Sequence, residues 1–177
     1  AALYGRLRML PAGGAQGDFS DGTCEVVMEV KLFGKGGSVA EVIFASYKNE
    51  SKMPFAKPIN SVNLNNAKHT GLIIDCSGLP LNPAMLPVIK NSNGQAIYSY
   101  ANIDNEKIIT KGIVIYADKA SDQLTLARAG NNPLVVKAVS LTDLSTNPVV
   151  SISDADKILA TNQRDKFLDN CAVVFMR

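Results

Sequence analysis

The sequence predicts a single α+β domain with a mixed or antiparallel sheet, two or three short helices and an extended N-terminal arm. Three observations carry this reading. The chain has 177 residues, 46% of them hydrophobic, which is enough for one good core and short for two domains. β-prone runs bounded by Gly, Pro, Asn and Asp recur along it, and in one place an Asn-Gly pair sits between two of them, the strongest short-range hairpin signal. Stretches with helical spacing are short and do not alternate with the strands in a repeating βαβ rhythm, so α+β describes the order better than α/β.

Residues 1–20 read as the arm and its connection, and 21–177 as the domain. AALYGRLRML carries its apolar positions at Leu3, Tyr4, Leu7 and Leu10, and PAGGAQGDFSDG after it has the Gly, Pro and Asp content of a connection. CEVVMEVKLFG alternates as a strand does, and Gly34 stops it. In GGSVAEVIFASYKN, Ser38 followed three residues later by Glu41 can cap a short helix, although Val, Ile, Phe and Tyr also suit a strand; a helix is expected. Glu50 to Lys68 is polar, contains Pro54 and Pro58, and reads as a long surface loop with one extended piece around Ile59 to Leu64.

TGLIIDC is a compact apolar run closed by SGLPLNP, as in a central strand leaving its sheet. MLPVIK and QAIYSY then form the hairpin across NSNG. IITKGIVIYAD reads as another strand, and SDQLTLARAG as a short helix with a Ser cap and a Gly past its end. NPLVVKAVSL and NPVVSIS are expected strands, each introduced by Asn-Pro and separated by TDLST. Ser153 with Asp156 three residues on resembles a capping box opening the helix DADKILATNQRDKFL, whose apolar contacts are Ile158, Leu159 and Phe167. CAVVFM closes the chain as a strand.

Charge and composition exclude several functions. The 18 basic and 16 acidic residues are interspersed, so no face is built to neutralise a phosphate backbone and nucleic acid is not an expected partner. No apolar run approaches the roughly 20 residues that cross a bilayer. The first residues are small and lack an initiator Met, which suits the product side of a secretory cleavage, and export is expected. Three cysteines, Cys24, Cys76 and Cys171, are too few for a disulfide framework and odd in number. Whether Cys76 pairs with Cys171 depends on strands bringing their Cα atoms within about 7 Å, which the sequence leaves open. With widely separated cysteines and one histidine, no metal site and no cofactor are expected.

The candidate catalytic letters resolve into structural roles. If Thr70 to Cys76 is extended, His69 and Cys76 lie on the order of 20 Å apart and cannot act as base and nucleophile. A cysteine at the end of an apolar strand is usually core, and Asp75 in DCSG suits an acceptor for turn amides. GKGGS lacks the spacing of a phosphate loop. Asp154 and Asp156 fall in the first helical turn, where the helix dipole favours negative charge. NES at 49–51 is a glycosylation sequon. Tyr47, Tyr98, Tyr100 and Tyr116 suit sheet packing as well as a binding surface. No catalytic residue emerges, and the protein is not expected to be an enzyme.

TGLIIDCSGLPLNPAMLPVIKNSNGQAIY, KGIVIYA, RAGNNPLVVKAVSL, NPVVSISDADKIL and FLDNCAVVF together resemble, over roughly residues 70–177, a group of exported bacterial proteins. These are usually labelled small outer-membrane lipoproteins and are similar to the flagellar-disc protein FlgP. The resemblance implies a periplasmic or outer-membrane-associated protein without enzymatic activity. Such a protein assembles with itself into rings or larger arrays, with other envelope or flagellar components as further partners. The arm, through Leu3, Tyr4, Leu7 and Leu10, then either adds a strand to a neighbouring subunit's sheet edge or folds back on its own domain. The other class of function in view is a monomeric periplasmic module that binds a ligand or an envelope component.

Overall fold

A computed structural model describes residues 7–9, 26–28, 30–45, 52–64 and 66–177. Leu3, Tyr4, Leu10, the Gly-rich connection, Cys24, Tyr47 and the sequon lie outside the described residues. In chain order the elements are β1 (Leu7–Met9), β2 (Val26–Met28), α1 (Val39–Ala45), β3 (Leu72–Asp75), β4 (Ile89–Asn91), β5 (Ala96–Tyr98) and a 3-10 turn (Tyr100–Asn102). There follow α2 (Asn105–Lys111), β6 (Ile115–Ala117), α3 (Gln123–Ala129), β7 (Leu134–Lys137), β8 (Ser140–Thr142), β9 (Asn147–Val150), α4 (Ile152–Asp165) and β10 (Val173–Met176). The class is α+β; the described residues form four α-helices and three sheets, where the sequence predicts two or three helices and one sheet.

β1 and β2 form a short antiparallel ribbon with Leu7 opposite Met28. The domain itself rests on two four-stranded sheets. The first has the order β6-β10-β3-β7 and is parallel throughout, with Ile73 level with Val174 on one side and Val135 on the other. The second has the order β5-β4-β9-β8; its outer pairs are antiparallel and its central β4–β9 pair is parallel. The second sheet is the mixed sheet the sequence predicts; the central strand belongs instead to an additional parallel sheet closed by distant segments, which local periodicity cannot reveal.

β3 is central, as its unbroken apolar run requires. On one face Leu72 and Ile74 join Val173, Phe175, Leu134, Val136 and Ile158 in the main core. On the other, Ile73, Val174 and Ala117 pack with Ala129 at the end of α3 in a smaller cluster. Gly71 permits that approach, since a Cβ there would stand 2.5 Å from the Cα of Ala129.

Three elements differ from expectation. Ile108 to Lys111 is helical, because Asp104 caps α2 by accepting the Glu106 N–H and Gly112 ends it, so only the end of IITKGIVIYAD becomes β6. NPLVVKAVSL divides into β7 and β8, which belong to different sheets. The cap of α4 is Ser151, whose Oγ accepts the Asp154 N–H at 3.0 Å, two residues earlier than expected because β9 ends at Val150.

The freed Asp156 has another task. Its buried carboxylate accepts the N–H groups of Ile59 and Asn60 and the Asn60 side-chain amide. Further along α4, Asp165 accepts the His69 N–H at 2.7 Å and pairs with Arg164, which also reaches the Ala67 carbonyl. The helix thus clamps the polar segment that leads into β3 at its middle and at its C-terminal end. No strand forms at Ile59 to Leu64.

Candidate functional site

The residues singled out in the sequence fall at separate places. His69 is half-buried at the entry to β3, its Nδ1 against the Asn132 carbonyl at 3.3 Å, and Cys76 follows the far end of the strand. Cys76 is fully buried, and that burial, aided by the charge of Asp75, pushes its thiol up to about 12, so it stays protonated at neutral pH. Asp75 accepts the Ser77 N–H at 2.9 Å, the turn role expected of it. The Ser77 hydrogen bonds and the nearby Lys137 hold its carboxyl below the usual range. Cys171 is buried beside Tyr98 and Arg128; burial raises its thiol against the pull of the guanidinium. Cys76 and Cys171 are both free thiols. Tyr98 is core, its hydroxyl donating to the Ile113 carbonyl at 2.7 Å, while Tyr116 both donates to and accepts from the backbone of Ala84.

The GKGGS amides are taken. Gly36 and Gly37 donate to Glu41 Oε2 at 2.9 and 2.6 Å, and the Ser38 Oγ accepts the Glu41 N–H. The loop is the cap of α1, with Glu41 in the position a bound anion would take. Beside it lies a cleft of about 550 Å³ whose charges are paired, Lys35 with Glu106 at 2.6 Å and Lys52 with Asp104 at 2.8 Å. Among the described residues, no His, Cys, Asp or Glu cluster could hold a metal ion, and no helix is long and apolar enough to cross a membrane.

The feature that sequence reasoning missed is an edge. Among the described residues β7 is the outermost strand of the parallel sheet; the chain continues through Ala138 and Val139 into β8, the outermost strand of the second sheet. One stretch, Leu134 to Thr142, therefore borders both. Leu134 and Ala138 donate inward, to the carbonyls of Gly71 and Asp75, each at 2.8 Å. The alternation of a parallel pair then points the N–H and C=O groups of Val135 and Lys137 away from the sheet. Side chains alternate too: Leu134, Val136 and Ala138 are buried, whereas Val135, Lys137 and Val139 are exposed.

Beyond β8 the edge ends in a rigid turn. Asp143, Leu144 and Ser145 are consecutive left-handed residues with φ of 52°, 59° and 63°, and Leu144 is 91% exposed. Asn82 holds the turn from both sides of its peptide, donating its N–H to the Ser145 carbonyl and its side-chain amide to the Leu144 carbonyl. Lys90 and Asn147 both donate to Asp143 at 2.6 Å. Such an edge is chemically equipped to accept a further strand. The period-two alternation of Val135, Lys137 and Val139 is its one visible sign in the sequence.

The described residues define an α+β domain whose two sheets share one border that no other described strand covers. Residues 71–177 match the family described as the second domain of Treponema pallidum Tp0624, and the chain belongs to that family. The matched region holds both four-stranded sheets and the shared edge. No match to the chain was found among curated proteins.

Proposed function

We propose that the protein is a non-enzymatic structural component of the bacterial cell envelope or surface, exported to the periplasm or outer membrane, which self-assembles into rings or filaments. The observation that carries this reading is the open border along Leu134 to Thr142, where backbone donors and acceptors at Val135 and Lys137 stand beside exposed valines. A long open edge is a template for pairing with another chain, and monomeric proteins usually cover or shorten it. The resemblance to the exported group of small outer-membrane lipoproteins, which are similar to FlgP, supports the same reading. The β1–β2 ribbon is marginal alone, and exchange of the arm through Leu3, Tyr4, Leu7 and Leu10 would support it while joining subunits.

A monomeric periplasmic module that binds a ligand or envelope component is favoured by one observation, the cleft with Phe44, Ile103 and Ile109 among its lining. Light scattering with negative-stain microscopy across a dilution series separates the two readings. Rings or filaments that persist on dilution, and that deletion of residues 1–12 abolishes, support assembly. A uniform monomer of 18.9 kDa rejects it and favours the binding module.

A further inference from the structure

Building on the self-assembly reading, we infer that two copies pair β7 against β7 antiparallel about a two-fold axis, with Val135 opposite Lys137 of the second copy. Only Val135 and Lys137 present both an N–H and a C=O outward, because the Val139 N–H is given to the Val149 carbonyl at 2.8 Å, so registers that oppose these two residues make the hydrogen bonds. Placing Val135 opposite Val135 sets Pro133 against Lys137, and Pro133 has no N–H to give. Placing Lys137 opposite Lys137 sets like charges directly across the seam. The remaining register matches Val135 and Lys137 with each other, keeps the two lysines apart, and sets Pro133 opposite Val139, whose N–H is already given to Val149. Each Val135–Lys137 pair exchanges two backbone bonds, and the Lys137 stem covers the exposed Val135 of the other copy.

Charge agrees with this register. Within each copy Asp75 stands level with Lys137 on the neighbouring strand, so the ammonium group has a carboxylate on one side and an apolar partner on the other. A second copy's arm, AALYGRLRML, would instead bring Arg6 and Arg8 to an edge whose own charge is Lys137. The pairing fuses two parallel sheets into one continuous sheet. Joined to arm exchange, it makes the two-fold pair the repeating unit of the larger assembly.

Sedimentation velocity of the full chain and three variants tests this. In V135P the lost N–H is one that points away from β3, where an edge strand tolerates proline; circular dichroism and thermal unfolding confirm the fold. Its dissociation constant is expected to rise at least about tenfold, because donors on both sides of the seam are lost. V135E faces Lys137 and is expected to tighten the pair, whereas V135K is expected to weaken it, each roughly two- to thirtyfold over the two symmetric contacts. Deletion of residues 1–12 leaves the two-fold pair intact. Folded V135P that assembles like the wild type, equal weakening by Glu and Lys, or loss of the pair on deleting the arm overturns the inference while self-assembly stands. A wild-type chain that is monomeric at every concentration overturns both.

Discussion

The Asp156 carboxylate accepts the Ile59 N–H at 2.6 Å across 97 residues of chain, and it fixes the polar segment to the helix whose Ile158 and Leu159 enter the main core. Burial works hardest against its ionisation, but the Ile59 and Asn60 donors together outweigh it and hold the carboxyl below its usual range. Asp156→Ala strands those donors without an acceptor. A melting temperature lower by about 5 °C is expected, with new protease cleavage between residues 57 and 64, mapped by mass spectrometry.

Asp165 makes stability depend on acid. Its hydrogen bond from Arg164, helped by the His69 N–H, takes the carboxyl from an ordinary 3.8 down to about 2. The folded value lies below the unfolded one, so the contribution is fully present above about pH 4 and fades as pH falls towards 2. Denaturant unfolding of Asp165→Asn at several pH values is expected to show lower stability at neutral pH and a smaller further loss in that window than the wild type shows.

Cys76 and Cys171 are buried thiols raised by desolvation. In a Cys24→Ser background, an aromatic disulfide reagent at pH 8 is expected to label neither until denaturant is added. Labelling in step with global unfolding is the expected trace.

Leu144 occupies the left-handed region at φ 59° while making almost no use of its side chain for packing. Asn adopts that conformation more readily. Leu144→Asn is expected to stabilise by about 0.5 to 1 kcal/mol, a rise in melting temperature of roughly 1–4 °C, read by calorimetry.

Much of the fold was legible because its signals are local. Asn93-Gly94 sets the β4–β5 hairpin with Gly94 at φ 80°, Gly130 ends α3, and the apolar run of β3 marks a central strand. α2 was hidden because Ile108, Ile109 and Thr110 suit a strand, while the decisive cap at Asp104 sits several residues upstream. The partition into two sheets was not legible, since alternation tells which face a side chain takes and not which strand lies beside it. Asp156 read as a helix-terminal charge because its partners lie far upstream. The candidate edge was half legible: the alternation of Val135 and Lys137 is in the sequence, but the place of β7 at the end of the described sheet follows from the parallel pairings of β3 with β7 and with β10, made over long separations.

Amide hydrogen exchange at Val135 and Lys137, followed by NMR from dilute to concentrated protein, tests edge-mediated assembly most directly. Leu134 and Ala138 donate inward and are expected to exchange slowly throughout. Val135 and Lys137 are expected to exchange fast when dilute and to become protected as the chain assembles. Fast exchange at those two amides in fully assembled protein would contradict the account.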